Sequence, residues 1–376
     1  MLLHRVPVLL AALTLAACIP EVSAQAPLTP LPASSAAYAP GQLHRGINAG
    51  NALDAPKEGE WGVVLDERFF ADVAAAGFDH VRIPVRFNAH AAAAAPYTVD
   101  EDFFRRVDWA IEQTVSRKMT AILDFHHYVE LMDDPDAHAA RFVGIWKQIA
   151  ARYHDRPASL LYELLNEPTS KITAPKWNAL LVKGLAAVRE VDPTRKVIVD
   201  SVFWAAAKEL ANLELPASDT NLIASFHMYQ PILFTHQGMP FMTAEYGTIG
   251  IPFPGPASAP IAPVPGALKV DWVADWFRRY NSTPAAENPG GPSAVLAEFA
   301  MARAFAERTK RPLYMGEFGT GDVIDIASRA RWTRLVREEA ERQGMGWAYW
   351  DDGGRFKIYD RKTGAWNPEL TAALMR

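Results

Sequence analysis

The chain has 376 residues, 49% of them hydrophobic and 22% charged, with a formal net charge of −5. That composition is ordinary for a globular protein and ample for a large buried core, which excludes a fibrous or disordered chain. No Lys/Arg-rich block interrupts it, so a nucleic-acid partner is not expected.

Residues 1–24 are an expected export signal and not part of the fold. Arg5 supplies the positive end, and the apolar run over 8–17 is too short to span a bilayer as a helix. Two processing sites compete. Val22-Ser23-Ala24 has the small-x-small form that would release a soluble chain, whereas Leu15-Ala16-Ala17-Cys18 has the form of a lipobox, with Cys18 as the lipid anchor. The expected destinations are therefore the periplasm, the outer membrane as a lipoprotein, or the medium. Cys18 is the only cysteine, so no disulfide is expected in the domain that follows. Residues 25–41 are rich in Ala, Pro and Ser without periodicity and are expected to be a linker.

Residues 42–376 are expected to form one catalytic domain. Short apolar runs predict strands over 43–48, 78–84, 120–125, 160–166, 197–200, 222–228, 312–316 and 346–350. Helical patterns fall between them at 66–76, 102–117, 135–153, 176–191, 205–212, 293–310 and 326–343, with a last one at 368–375. Eight strands alternating with helices predict an α/β fold, a (β/α)8 TIM barrel. The segment 231–288 departs from this rhythm as a long insertion after the sixth strand, Pro/Gly-rich in its middle. Its position on the catalytic face predicts a cleft wall carrying the rings of Phe234, His236, Tyr246, Trp272 and Trp276.

Catalytic groups of such barrels come from the ends of several strands. Leu160 to Pro168 is an apolar run closing in Asn166-Glu167-Pro168; proline cannot extend a sheet ladder, so Glu167 is delivered to the mouth of the barrel. Pro312 to Gly319 repeats the arrangement with Glu317 between Gly316 and Gly319. Other strands end in Arg82-Ile83-Pro84, Asp124-Phe125-His126-His127, His227-Met228-Tyr229 and Trp347-Ala348-Tyr349-Trp350. Taken singly, each is more often a structural residue than a catalyst; their joint occurrence in this order is the signal. Glu298 lies in a helical pattern and is expected to be a solvated position. Glu130, Asp351 and Asp352 could bind hydroxyls or only cap loops.

With these motifs the chain resembles glycoside hydrolase family 5, the cellulase-type clan, over most of its length from Leu43 to Trp350. Gly46-Ile47-Asn48-Ala49-Gly50-Asn51 also resembles the family's Gly-x-Asn-Leu-Gly-Asn opening, with Ala49 in place of Leu. The resemblance implies a retaining double displacement, in which two carboxyl groups about 5–5.5 Å apart act as nucleophile and acid/base. Glu167 takes the place of the acid/base and Glu317 that of the nucleophile. Arg82 and Tyr229 would hold Glu317 ionised. Asn166 would reach the sugar 2-hydroxyl, His126 and His227 would complete the polar shell, and Trp350 would stack beneath the sugar. Asn48, His127 and Trp204, the last beside Phe203, are further candidates for sugar contact.

The expected substrate is a β-1,4-linked glucan or a related plant or bacterial polysaccharide, cleaved internally by a monomer. An exo-acting β-glucosidase-like enzyme and a β-mannanase are alternatives within the family. A barrel that binds carbohydrate without turnover is the alternative of another class. The pair His126-His127 raises a metal site completed by His227 or Asp200, but no H-x-H or H-E-x-x-H spacing supports it, so neither metal nor cofactor is expected.

Overall fold

The computed structural model describes residues 43–376. The export signal, Cys18 and the linker lie outside the described residues. In chain order the elements are β1 (Arg45–Asn48), α1 (Glu67–Ala75), β2 (His80–Val85), α2 (Glu101–Val115), β3 (Thr120–Phe125), α3 (Val129–Asp133), α4 (Pro135–Tyr153), β4 (Leu160–Glu163), α5 (Ala174–Arg189) and β5 (Val197–Asp200). They continue with a single turn α6 (Val202–Ala205), β6 (Leu222–Met228), α7 (Ile232–Thr235), α8 (Asp271–Ser282), α9 (Pro292–Thr309), β7 (Leu313–Phe318), α10 (Ile326–Arg342) and β8 (Gly346–Tyr349). A two-stranded hairpin, β9 (Tyr359–Asp360) with β10 (Ala365–Trp366), precedes α11 (Pro368–Met375). Strands β1 to β8 pair in parallel and in sequence order, and β8 closes onto β1. The molecule is a (β/α)8 barrel.

Helix starts follow capping chemistry. The carboxylates of Asp66, Asp100, Asp134 and Asp325 each accept a backbone N–H from the first turn of α1, α2, α4 and α10. Prolines stand in the first turn of α4, α5, α9 and α11, where no intrahelical N–H is lost.

The alternation of side chains along each strand builds two cores. Outward residues such as Leu123, Tyr162, Val199, Phe226 and Met315 pack under the helices in one large buried cluster. Inward residues Leu43, Ile122, Leu161, Ile198, Ile223, Tyr314 and Ala348 fill the barrel as a second. The next inward positions, one pleat toward the carboxyl ends, are Arg82, Asp124, Glu163, Asp200, Ser225 and Gly316. A charged layer therefore sits directly on an apolar plug. Gly46 is required at the lower level, because a Cβ there would lie 2.0 Å from Nε2 of the buried His80.

Three expectations need correction. β4 stops at Glu163 and not at 166; beyond it the chain keeps only separate bonds, Leu164 N–H to Ile198 and Asn166 N–H to Phe125. β7 runs on to Phe318, so Glu317 lies within the strand and not past its end; irregular register on both sides of the strand accommodates it. The insertion is not a wall of rings. It contains α7 and α8, and Phe234 and Trp276 are buried in the core, the latter stacked on Tyr280 at 4.8 Å. Tyr246 meets Trp272 of α8 at 6.2 Å. Among these rings, His236 is the one that reaches the mouth, lying edge-on to Tyr229 at 4.9 Å.

Candidate active site

Arg82, on β2, is the hub of the charged layer and is fully buried. Its Nε and Nη2 donate to the two carboxylate oxygens of Glu163 at 2.8 and 2.6 Å, a bidentate pair. Nη1 donates to Glu317 Oε1 at 2.8 Å and to Asn48 Oδ1 at 2.9 Å, and Nη2 also donates to Asn166 Oδ1 at 2.8 Å. Asp124 Oδ2 completes the ring of acceptors, 3.1 Å from Nη2. A lone buried cation would cost many kcal/mol, so this surrounding set of carboxylates and amides is what permits it.

Glu317 receives a second hydrogen bond from the hydroxyl of Tyr229, 2.8 Å from Oε2. Burial alone would raise its pKa, but cationic His227, Arg82 and the Tyr229 bond outweigh that and hold the carboxyl below the usual range. Glu167 stands in the loop after β4, partly exposed, with a left-handed backbone at φ 48°. His227 joins the two acids. Its Nδ1 lies 2.7 Å from Glu167 Oε1 and 3.7 Å from Glu317 Oε2. Burial would depress the imidazole, but Glu317, Asp200 and Glu167 together raise it to about 9, so the ring is cationic and Nδ1 donates to Glu167. One carboxylate oxygen of each glutamate comes within 4.8 Å of the other. That closeness belongs to a retaining pair; an inverting pair needs about 6.5–9.5 Å to admit a water.

A family model for cellulase, glycosyl hydrolase family 5, matches residues 45–355. The chain belongs to glycosyl hydrolase family 5. The chain is 30% identical over 356 residues to endoglucanase H of Acetivibrio thermocellus, an alignment that covers 92% of the chain but 35% of that relative. Endoglucanase 3 of Fibrobacter succinogenes is 27% identical, over 85% of the chain and 50% of the relative. The chain thus spans half or less of the length of these curated relatives. Among solved structures, Thermotoga maritima Cel5A in complex with mannotriose superposes with a TM-score of 0.77 at 36% identity, covering 89% of the chain and 98% of Cel5A. Cel5A structures in complex with cellobiose match equally well.

The remaining expected site residues of this family-5 hydrolase divide by position. His126 donates from Nδ1 to Asp124 Oδ2 at 2.5 Å and lies parallel to the Trp350 ring, centroids 5.7 Å apart. Burial pushes His126 well below the usual imidazole range, so it is neutral. Trp350 is half-buried just past β8. His127 is partly exposed, edge-on to Trp61 at 5.5 Å, with Nε2 3.9 Å from Asp54 Oδ2. Burial lowers His127 to about 4 and raises Asp54 to about 7. Asn166 Oδ1 accepts from Arg82, so the amide is turned by that bond and its N–H group is not the one Arg82 engages.

Asn48 does not face a sugar. It is fully buried, and its amide donates to Gly316 O and Tyr349 O while its oxygen accepts from Arg82, so it ties β1 to β7 and β8 beneath the glutamates. Trp204 is 63% exposed on the turn after β5, with a left-handed backbone shared with Phe203 and Ala205, and is not brought against the residues above.

Sequence reading missed Glu163 because 160–166 read as one continuous apolar strand. The available signal was alternation: with Leu161 facing inward, Glu163 must face inward too. Asp54 carried no local signal, since it reaches His127 only through the tertiary fold. Asp351 and Asp352 are capping residues that accept backbone N–H groups of the following loop, and Glu130 accepts from Asn88. Glu298 sits half-buried on α9, where burial raises its pKa, and is not the solvated position expected.

Three groups of potential metal-ligating atoms occur among the described residues: Asp54–His126–His127, Glu163–Asp200–His227 and Glu167–His227–Glu317. In the last two, the bonds to Arg82, Tyr229 and His227 already occupy Glu163, Glu167 and Glu317. Arg82 and His227 are the cations that these carboxylates already face.

Proposed function

We propose that the protein is an exported retaining endo-β-1,4-glucanase with Glu317 as nucleophile and Glu167 as acid/base. The observation that carries this reading is the close pair of carboxylates with opposite surroundings. Glu317 accepts from Arg82 and Tyr229 and stays ionised, while Glu167 meets solvent and a single donor, His227. In the first step a Glu317 oxygen attacks the anomeric carbon as Glu167 gives its proton to the departing glycosidic oxygen. The product is a glycosyl ester of Glu317 and a released sugar hydroxyl. In the second step Glu167, now a carboxylate, takes a proton from water, whose oxygen attacks the same carbon and frees Glu317. Positive charge develops on the sugar ring in both transition states, next to the ionised carboxylate. The Asn166 amide is placed for the 2-hydroxyl, and Trp350 offers an apolar face for the ring.

The glucan substrate is supported by the endoglucanase names of several relatives and by the cellobiose complexes of Cel5A. Endo action is supported by the packing of Phe234 and Trp276 into the core, which removes two of the rings that would close one end of the cleft. The mannotriose complex of the same structural relative favours mannan as a second substrate. A barrel without turnover would have to fail despite possessing the full set of hydrogen bonds around both glutamates. Export, with either a free or a lipid-anchored amino terminus, rests on the signal pattern and is tested by fractionating the cells and weighing the mature chain. A monomer is the expected state.

The test of the activity is turnover of a soluble β-1,4-glucan and a soluble mannan by wild type, Glu167→Gln and Glu317→Gln, with product sizes followed in time. Internal cutting by wild type and losses of about 10³-fold or more in both variants support the reading. Activity that survives removal of either carboxylate sinks the assignment of the pair, and monosaccharide release without polymer cutting replaces endo by exo action.

A further inference from the structure

Asp200 ends β5 and is fully buried. Its carboxylate has two neighbours that both lead to Glu167. Oδ2 accepts the backbone N–H of Glu167 at 3.0 Å and faces Nε2 of His227 at 3.6 Å. The other imidazole nitrogen, Nδ1, holds the Glu167 side chain at 2.7 Å. Glu167 itself sits at φ 48°, a left-handed conformation that costs a non-glycine residue on the order of 1–3 kcal/mol and needs external bonds to persist. The placement of Asp200 is rigid: Trp177 of α5 donates to its carbonyl at 2.8 Å, and it stands in register with Ser225 of β6. Gly316 leaves the space the His227 ring needs, since a Cβ there would lie 2.8 Å from Nε2.

We propose that Asp200 is a positioning residue for the acid/base, gripping Glu167 directly through the main chain and indirectly, through His227, at the carboxyl group. This rests on the reading of Glu167 as acid/base. Asp200 Oδ1 and His227 Nε2 make no hydrogen bond among the described residues, so the contact between the two side chains is one of charge. The groups that share this field are Glu163 and Arg82 beside Asp200, Asp124 on β3 with His126 just past it, and Glu317 with Tyr229 beyond His227. Within it, the Asp200 charge helps His227 keep its proton. Burial and Glu163 raise Asp200 to about 7, so that charge is present toward neutral pH and above; removing it loosens the protons held there, and the alkaline limb of the pH–rate bell moves to lower pH.

Two substrates separate positioning of the acid from mere support of the fold. An unactivated cello-oligosaccharide needs protonation of its leaving oxygen; a dinitrophenyl β-cellobioside does not. Asp200→Asn keeps an acceptor for the Glu167 N–H and removes the charge, while Asp200→Ala removes both. For the oligosaccharide, kcat/KM is expected to fall about tenfold in Asp200→Asn and about a hundredfold in Asp200→Ala, against about threefold or less for the aryl glycoside. The alkaline limb of the bell in kcat/KM moves to lower pH in both variants. Equal losses on the two substrates with an unmoved bell would overturn the proposal. If Asp200→Ala does not fold, the nearly isosteric Asp200→Asn carries the test alone. Glu167→Gln, measured beside them, separates the two levels: if it too loses activity equally on both substrates, the acid/base reading falls first and the proposal with it.

Discussion

At the scale of single residues, the buried Arg82 charge is surrounded by acceptors. Glu163 spends both oxygens on Arg82, which in turn holds Glu317, Asn166 and Asn48. Replacing Glu163 by Leu leaves the guanidinium with one acidic partner fewer in a buried layer. The expected loss of stability is about 3–5 kcal/mol, read as a drop in urea midpoint, with a loss of turnover because Arg82 no longer aims at Glu317. Asp54 gives a second prediction. Burial raises its pKa to about 7, so between the ordinary carboxylate range and that value the folded protein binds more protons than the unfolded one. Stability must therefore fall as pH rises through this window. Asp54→Asn lacks that slope. Melting temperatures measured from about pH 4 to about pH 8 should show the wild type losing ground to the variant until about pH 7, and parallel curves above it.

At the scale of elements, strand alternation decides what a residue can do. In β7 the sequence Leu313-Tyr314-Met315-Gly316 places Tyr314 in the plug and Gly316 against His227, and the irregular register that follows brings Glu317 level with His227 on β6. A methyl group at 316 would also come within 3.2 Å of Ser225 Oγ, so the imidazole must shift away from Glu167. Gly316→Ala is expected to lower kcat about tenfold to a hundredfold while costing about 1–3 kcal/mol of stability, checked by kinetics beside thermal melting. An unchanged kcat would show that the ring has slack. The same alternation places Arg82 and Asp124 inward, whereas the sequence marked them only through the motifs at their strand ends; in β4 it was hidden, because Leu160, Leu161 and Tyr162 serve both cores at once.

At the scale of the whole molecule, the closed barrel holds Glu167 and Glu317 in one frame although 150 positions separate them in the chain. With carboxylate oxygens within 4.8 Å, the first sugar released from the intermediate must keep the β configuration. Proton NMR of the earliest products tests this; an α-anomer formed first excludes the double displacement. Eight strands, their order, and the candidate residues near their carboxyl ends were readable in advance. Apolar runs of strand length separated by helical periods leave a parallel barrel as the natural way to bury both faces of every strand. The residue types Arg82, His126, Asn166, Glu167, His227, Tyr229, Glu317 and Trp350 were readable because each lies in or just after an apolar strand run, although Arg82, His227 and Glu317 lie within β2, β6 and β7 and not past their ends. What local pattern could not supply was which atoms meet. That Asn48 is consumed inside the barrel, that Glu163 supports Arg82, that Asp54 faces His127, that Asp200 grips the loop of Glu167, and that Phe234 and Trp276 serve the core all depend on strand register and on contacts between residues far apart in sequence. Such contacts form only when the barrel closes, because pairing and burial energies are realised between elements and leave no mark on the periodicity of any one of them.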